Sequence, residues 1–279
     1  RLVASRDPRS LPDLGRSGAA AWASRFGPPR HPGVSVRQLG EPFAGLELTP
    51  PEPTDGELFF IHGGGLVYYD TAVFAPFLSE LAAASGVRIT AFDYPKAPET
   101  ATGEIVSALR QGIGAALDRH PGRRITLAGD SVGGLLAVHF ALADFAGRLS
   151  RLQLIYPVAA APATYDGRYA TGHFLDGAMM SWFRGFIDPI FKMDGGAPAD
   201  LAPEMLRRLP PVTLHIAECD ILAAEGHALA AAMRAAGIAT EVVVHAGLPH
   251  DFCLHSGRIA SAAAGTARIA ESLRQSRDS

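Results

Sequence analysis

Apolar residues crowd seven short stretches of the chain: VSVRQL (34–39), ELFFIH (57–62), VRITAFDY (87–94), RITLAG (124–129), LQLIYPV (152–158), VTLHIA (212–217) and TEVVVHA (240–246). Their β-branched and aromatic content predicts strands, and most of them lack strict apolar–polar alternation, which predicts strands buried on both faces. Between them, apolar residues recur at helical spacing in APFLSELAAASG, GEIVSALRQGIGAALDRH, VGGLLAVHFALADFAG and EGHALAAAMRAAG. Strands alternating with helices require right-handed crossovers, so the pattern predicts an α/β chain whose mostly parallel central sheet carries helices on both faces.

Two segments break this rhythm. Residues 1–33 are rich in Pro, Arg, Gly and Ser, with one short helical candidate, GAAAWASRF. From about Ala159 to Leu209 there is no strand pattern, while aromatic residues and Met are dense. A structureless loop of that length is improbable in a compact domain, so a small helical insertion over the sheet is expected.

Composition narrows the function classes. With 48% hydrophobic and 19% charged residues, the chain of 279 fits a soluble globular protein with a large core. A net charge of −3 offers no attraction for nucleic acid or an anionic membrane. No apolar run approaches the ~20 residues of a membrane span. Cys219 and Cys253 lack metal-type spacing, and a reduced, cytoplasmic setting is expected, with secretion left open because the chain begins at Arg1. A homodimer is also left open.

The ends of the strands carry the chemistry, as open α/β sheets require. After RITLA comes GDSVGG, in which Gly129, Ser131 and Gly133 satisfy G-x-S-x-G, the strand–turn–helix elbow that exposes a serine hydroxyl. With 30 glycines in the chain, random placement gives about 0.2 such matches, so the motif alone is weak. The HGGG of FFIHGGGLVYYD has a chance expectation nearer ~0.01 on the same composition argument, and together the two are specific.

A serine hydroxyl needs an adjacent base, usually a His oriented by a carboxylate. Downstream of Ser131, VTLHIA runs into ECD, offering Glu218 and Asp220, and TEVVVHA is followed by GLPHDF, offering His250. Glu218 could share the direction of Asp220 if the strand extends that far. Asp130 sits on the elbow and should face away from the base, while Asp251 should not easily bond its own neighbour's ring. His215 and His245 lie within strands and read as buried, and His62 reads as fixing the glycine loop. Backbone N–H groups of that loop and of Val132 are placed to stabilise an oxyanion, with the glycines leaving room for it. The phosphate-loop and dinucleotide-loop spacings are absent, as is a metal-type His or Cys cluster, so no cofactor and no metal are expected.

These residues resemble the hormone-sensitive-lipase family of α/β-hydrolase esterases: His62-Gly63-Gly64-Gly65, Gly129 to Gly134, Asp220 and His250, together with DYPKAPE (Asp93 to Glu99) and LPPVTLHIAECDILAAEG. The resemblance covers roughly residues 56–255. It implies a single α/β-hydrolase domain over 1–279, with a small helical cap from about 1–33 and 159–209. It also implies Ser131 as nucleophile, His250 as general acid and base, Asp220 as its orienting carboxylate, and oxyanion donors among Gly63, Gly64, Gly65 and Val132. Carboxylic esters of short to medium acyl chain, small-molecule acyl substrates, would be cleaved without a cofactor. Tyr68, Tyr69, Trp182, Phe183 and Phe186 are the expected substrate contacts. The chain departs from the family at Val132 (usually Ala), at Pro95-Lys96 (usually Arg-Leu), in the TATGE that follows, and in PHDF (usually H-G-F). An N- or O-deacetylase, an amidohydrolase or an acyltransferase would share the same acylation step. A non-catalytic binding protein of this fold would have no reason to keep all three of Ser131, Asp220 and His250.

Overall fold

A computed structural model describes residues 12–275 except 163, 166, 172 and 173. The parts of the expected cap that fall on 1–11 and on those four internal positions lie outside the described residues. The strands are β1 (Ser35–Leu39), β2 (Gly45–Thr49), β3 (Glu57–Ile61), β4 (Arg88–Phe92), β5 (Ile125–Asp130), β6 (Arg151–Ile155), β7 (Val212–Ala217) and β8 (Thr240–His245). The helices are α1 (Pro12–Phe26), α2 (Thr71–Ser85), α3 (Thr102–Arg119), α4 (Val132–Ala143), α5 (Gly177–Asp194), α6 (Pro203–Leu206), α7 (Ala223–Ala235) and α8 (Ala260–Gln275).

The strands form one sheet in the order β1-β2-β4-β3-β5-β6-β7-β8. The first two pairings, β1 with β2 and β2 with β4, are antiparallel, and the rest are parallel. In the buried middle of the sheet, alternate side chains enter opposite layers. Phe59 and Ile61 of β3 pack with Ile105 of α3 and Leu135 of α4, whereas Leu58 and Phe60 pack with Phe74 and Phe77 of α2 and Ile269 of α8. Both sets are apolar, which is why this strand shows no alternation in sequence.

Helix ends follow their sequence signals. Asp70 caps α2 by accepting from Val73 N at 3.0 Å, and Gly86 ends it in a left-handed conformation. Asp176 caps α5 in the same way through Met179 N at 2.7 Å. Among the described residues no helix is long and apolar enough to cross a membrane.

Two elements escape the hydrophobic pattern. Strand β2 is only GLELT, starting on a glycine and running into Pro50 and Pro51, and its pairing between β1 and β4 supplies what its own sequence does not signal. Helix α8 buries mostly small residues, and tertiary bonds help fix it to the sheet: Gln153 Nε2 donates to Ile269 O at 3.1 Å and to Ser272 Oγ at 3.0 Å. Because Phe60 is fully buried in the layer against α2, Phe60→Ala is expected to destabilise the protein by about 3–5 kcal/mol, read from a shift of the guanidinium unfolding midpoint.

Candidate active site

Ser131 occupies the junction between β5 and α4 with φ 54° and ψ −121°, a region a non-glycine residue enters only when its surroundings enforce it. Its surroundings do so: Ser131 N donates to Ile155 O at 2.9 Å, and Ser131 O accepts from Val158 N at 3.1 Å and Gly134 N at 3.0 Å. Close packing leaves no room for a Cβ at Gly133, which would run into the Ile61 carbonyl of β3.

The loops after β7 and β8 are fastened together before they deliver their side chains. Glu218 N donates to His245 O at 3.1 Å, Cys219 N to Leu248 O at 2.9 Å, and Gly247 N to Glu218 Oε2 at 2.7 Å. Glu218 therefore braces the turn leading to His250 and is not its partner. That partner is Asp220, whose Oδ2 lies 2.6 Å from His250 Nδ1 and whose Oδ1 accepts from Leu222 N at 3.0 Å. On its other side His250 places Nε2 3.0 Å from Ser131 Oγ. In the neutral ring, an Nδ1–H directed at Asp220 leaves Nε2 able to accept the serine proton. The structure thus brings together three side chains from three separate strand ends, all of them buried.

Electrostatics favour a charged imidazole. Burial pulls the His250 pKa down, but the Asp220 and Asp251 carboxylates, with a smaller contribution from Asp130, outweigh it and raise it to about 9. Asp251 Oδ1 lies 3.7 Å from His250 Nε2, because a left-handed backbone at Asp251 (φ 57°) turns its side chain back towards the ring. As expected, the Asp251 carboxylate makes no hydrogen bond to its neighbour's ring, although it comes within ion-pair distance. It reaches the far nitrogen, not Nδ1.

The glycine loop is shaped by the protein's own atoms. Gly63 N donates to Asp130 Oδ1 at 2.7 Å, and a Cβ on Gly63 would strike the other oxygen of that carboxyl. The amide of Gly63 is therefore occupied, and Gly63 is removed from the expected oxyanion donors. Gly64 (φ 96°) and Gly65 (φ 62°) need left-handed backbone, and side chains there would meet the Tyr68 carbonyl and the Phe183 ring. Beneath the loop, His62 is fully buried. Its Nδ1 lies 2.8 Å from Gly63 O, and its Nε2 lies 3.0 Å from Lys96 Nζ. Burial drives the His62 pKa well down and that of Lys96 down to about 7, so the imidazole is neutral and can bridge the two. Tyr94 adds its hydroxyl to His62 O at 2.9 Å. Asp130, beside Ser131, is fully buried, and its carboxyl is pushed well above the usual range by burial and then by Asp251.

A cavity of about 150 Å³ opens beside Ser131 and His250. Gly64, Gly65, Tyr68 and Tyr69 form one wall; Leu175, Met179 and Phe183 form another, with Ala19 of α1 and Phe174 at its edge. Trp182 and Phe186 are not among its lining residues, which corrects the sequence expectation for both. Met179 and Phe183 are four apart and share the cavity face of α5, whereas Trp182 and Phe186 share the adjacent face and pack on each other at 5.5 Å, with Trp182 6.1 Å from the Tyr68 ring. A larger groove of about 940 Å³ lies at the opposite ends of the strands, where Ser150 spends its hydroxyl on Ile125 O at 2.8 Å.

Sequence reasoning set Asp130 aside as a partner for the base without seeing its bond to the glycine loop, and passed over Arg16. Asp130 ties the elbow to the glycine loop. Arg16 of α1 donates to Val67 O and Ala97 O, each at 2.8 Å, and pairs with Glu99 at 2.7 Å. The Glu99 of DYPKAPE was the available signal for a cationic partner.

Comparison with known proteins follows the same lines. Residues 58–254 match a family described as alpha/beta hydrolase fold. An ethyl acetate hydrolase of Pseudomonas putida is 30% identical over 247 residues, covering 81% of this chain and 74% of that protein. The carboxylic ester hydrolase LipN of Mycobacterium tuberculosis is 28% identical over 270 residues, covering 89% of this chain and 72% of that protein. Among solved structures, a thermostable esterase from Pseudomonas putida ECU1011 superposes with a TM-score of 0.85 at 25% identity, covering 97% of this chain and 92% of that one.

The local fields set the titration of His250. Its ring protons, followed by NMR, are expected to titrate near pH 9 and not near the ordinary 6.5. Asp220→Asn should lower that midpoint, because the largest cationic stabilisation is then gone.

Proposed function

The chain belongs to the α/β-hydrolase-fold family, in its hormone-sensitive-lipase-like group, and from that premise we propose that it is a serine hydrolase cleaving small carboxylic esters through an acyl-enzyme. The observation that carries this reading is the hydrogen-bonded sequence Ser131 Oγ–His250 Nε2 (3.0 Å) and His250 Nδ1–Asp220 Oδ2 (2.6 Å), opening on a cavity walled by Gly64 and Gly65.

Ser131 Oγ attacks the ester carbonyl carbon while its proton passes to His250 Nε2, and Asp220 stabilises the imidazolium that forms. The electron pair displaced from the carbonyl becomes an oxyanion, received by the amides of Gly64, Gly65 and Val132. When the tetrahedral intermediate collapses, the carbon–oxygen bond to the alcohol breaks and His250 Nε2 returns its proton to the leaving oxygen. Water then attacks the acyl-serine with His250 again as base, releasing the acid and restoring Ser131. The strained backbone at Ser131 holds Oγ in place for both steps, so little reorganisation is needed at the moment of reaction.

The cavity bounds the substrate. A volume of about 150 Å³ is that of a protein cavity which accepts benzene, about six non-hydrogen atoms. It therefore suits an acetyl or similarly short acyl group, in keeping with the named activity of the Pseudomonas putida relative. Helix α1 and the segment from Phe174 through α5 act as the cap: Arg16 anchors the first to Val67, just after the glycine loop, while Trp22 donates to His255 Nε2 at 2.8 Å and meets the Phe174 ring edge-on at 5.6 Å.

Ser131→Ala is expected to lower kcat on p-nitrophenyl acetate by several orders of magnitude and to abolish labelling by a fluorophosphonate. Unchanged turnover in that variant would refute the assignment. Because the base must be neutral, kcat/KM should rise with pH through the elevated His250 pKa. Across p-nitrophenyl esters, acetate to butyrate should exceed octanoate by about tenfold or more, and Phe183→Ala should narrow that gap by enlarging the cavity.

A further inference from the structure

Asp251 stands outside the Ser131–His250–Asp220 sequence, yet two unusual backbone conformations converge on its carboxylate. Asp251 has φ 57° and Tyr69 has φ 66°, both left-handed and both non-glycine. Tyr69 donates its hydroxyl to Asp251 Oδ2 at 2.9 Å. The second oxygen, Oδ1, is buried without a hydrogen-bond partner and lies 3.7 Å from His250 Nε2. A buried carboxylate oxygen that lacks a donor is costly, and a bound ligand can supply that donor.

Its position selects one half of the substrate. This step rests on the reading of His250 as the group that protonates the leaving oxygen. Nε2 faces Ser131 Oγ during attack and the alcohol oxygen during collapse, so an anion beside Nε2 stands beside the alcohol portion of the ester. The rings of Tyr68, Tyr69, Phe174 and Phe183 line the same cavity, and ring faces attract cations. A carboxylate short of one donor, set among aromatic rings, is chemistry for an ammonium group. We propose that Asp251 is a specificity residue selecting short-acyl esters whose alcohol carries a protonated amine, about two carbons from the ester oxygen. Tyr69 is its positioning residue: by occupying Oδ2, it leaves Oδ1 facing the substrate. Uncharged alcohols are accepted, without the added contact.

The test compares two acetates of the same shape: protonated 2-(dimethylamino)ethyl acetate and uncharged 3-methylbutyl acetate. The ratio of their kcat/KM values is measured in the wild-type chain and in Asp251→Asn, a residue that tolerates left-handed backbone, with Asp251→Gly as the second variant. The ratio is expected to fall about tenfold in both variants, chiefly through KM for the charged ester. Inhibition of 3-methylbutyl acetate hydrolysis by 2-(dimethylamino)ethanol should weaken in parallel, while inhibition by 3-methylbutanol should not. Taking the ratio within each enzyme removes any general loss of rate, which a purely structural role for Asp251 would produce. Equal ratios in wild type and folded variants would overturn the inference while leaving the ester-hydrolase reading intact. Hydrolysis of neither ester, with Ser131 unlabelled by a fluorophosphonate, would remove that reading and this inference with it.

Discussion

A single buried hydrogen bond, from Gly63 N to Asp130 Oδ1 at 2.7 Å, ties the glycine loop after β3 to the elbow after β5. Gly63 belongs to the loop that follows β3, and Asp130 is the last residue of the adjacent parallel strand β5. That bond sets the distance between the Ser131 hydroxyl and the backbone donors proposed to receive an oxyanion. Strand pairing alone leaves loop ends free to drift by more than the ~0.5 Å that such a geometry allows. Burial makes the tie firm, because water cannot compete for Gly63 N–H in an enclosed site. Below it, His62 holds the Gly63 carbonyl, and Lys96 holds His62. The loop is gripped through both its amide and its carbonyl.

This explains which parts of the molecule could be read from the sequence. Strands β3 to β8 announce themselves because they are apolar runs bounded by helices, and Ser131, Asp220 and His250 each stand just beyond the end of one of them. Strand β2 and helix α8 do not, since one is five residues beginning on Gly45 and the other is built on alanine. Their places come from pairing with β1 and β4 and from the Gln153 bonds, which are long-range and invisible to local pattern. The glycine triplet was legible as a close approach of something to backbone. Its identity was not: the approaching atoms are the Asp130 carboxyl, the Tyr68 carbonyl and the Phe183 ring. Trp182 and Phe186 show the same limit, because aromatic density marks a helix over the site, and only the rotation of α5 tells which faces look inward.

Charge around the imidazole follows from the same packing. Asp130, Asp220 and Asp251 all raise the His250 pKa, from three different directions in the chain. They are not equivalent. Asp220 holds Nδ1 and also accepts from Leu222 N, so it is saturated on both oxygens. Asp130 is fully enclosed, and burial pushes its pKa well up, which disfavours a full negative charge on it. Asp251 alone faces the cavity. Three acids near one base would be self-defeating if all were ionised and unpaired; burying one, saturating the second and turning the third towards the ligand space resolves the conflict.

The size of the cavity and the geometry of the glycine loop are one constraint, not two. Phe183 lies against Gly65 so closely that a Cβ there would enter the ring, and the edge of Tyr68 meets Phe183 at 5.7 Å. The wall proposed to limit the acyl group is thus also the packing that holds the loop's left-handed backbone in place. In a close-packed interior, space gained on one side of a ring becomes slack on the other. A wider cavity reached by shrinking Phe183 would loosen Gly64 and Gly65, so chain-length range and transition-state stabilisation cannot be improved independently at that position. Met179 and Leu175 line the same cavity without touching the space above Gly65, so widening there leaves the loop's support in place.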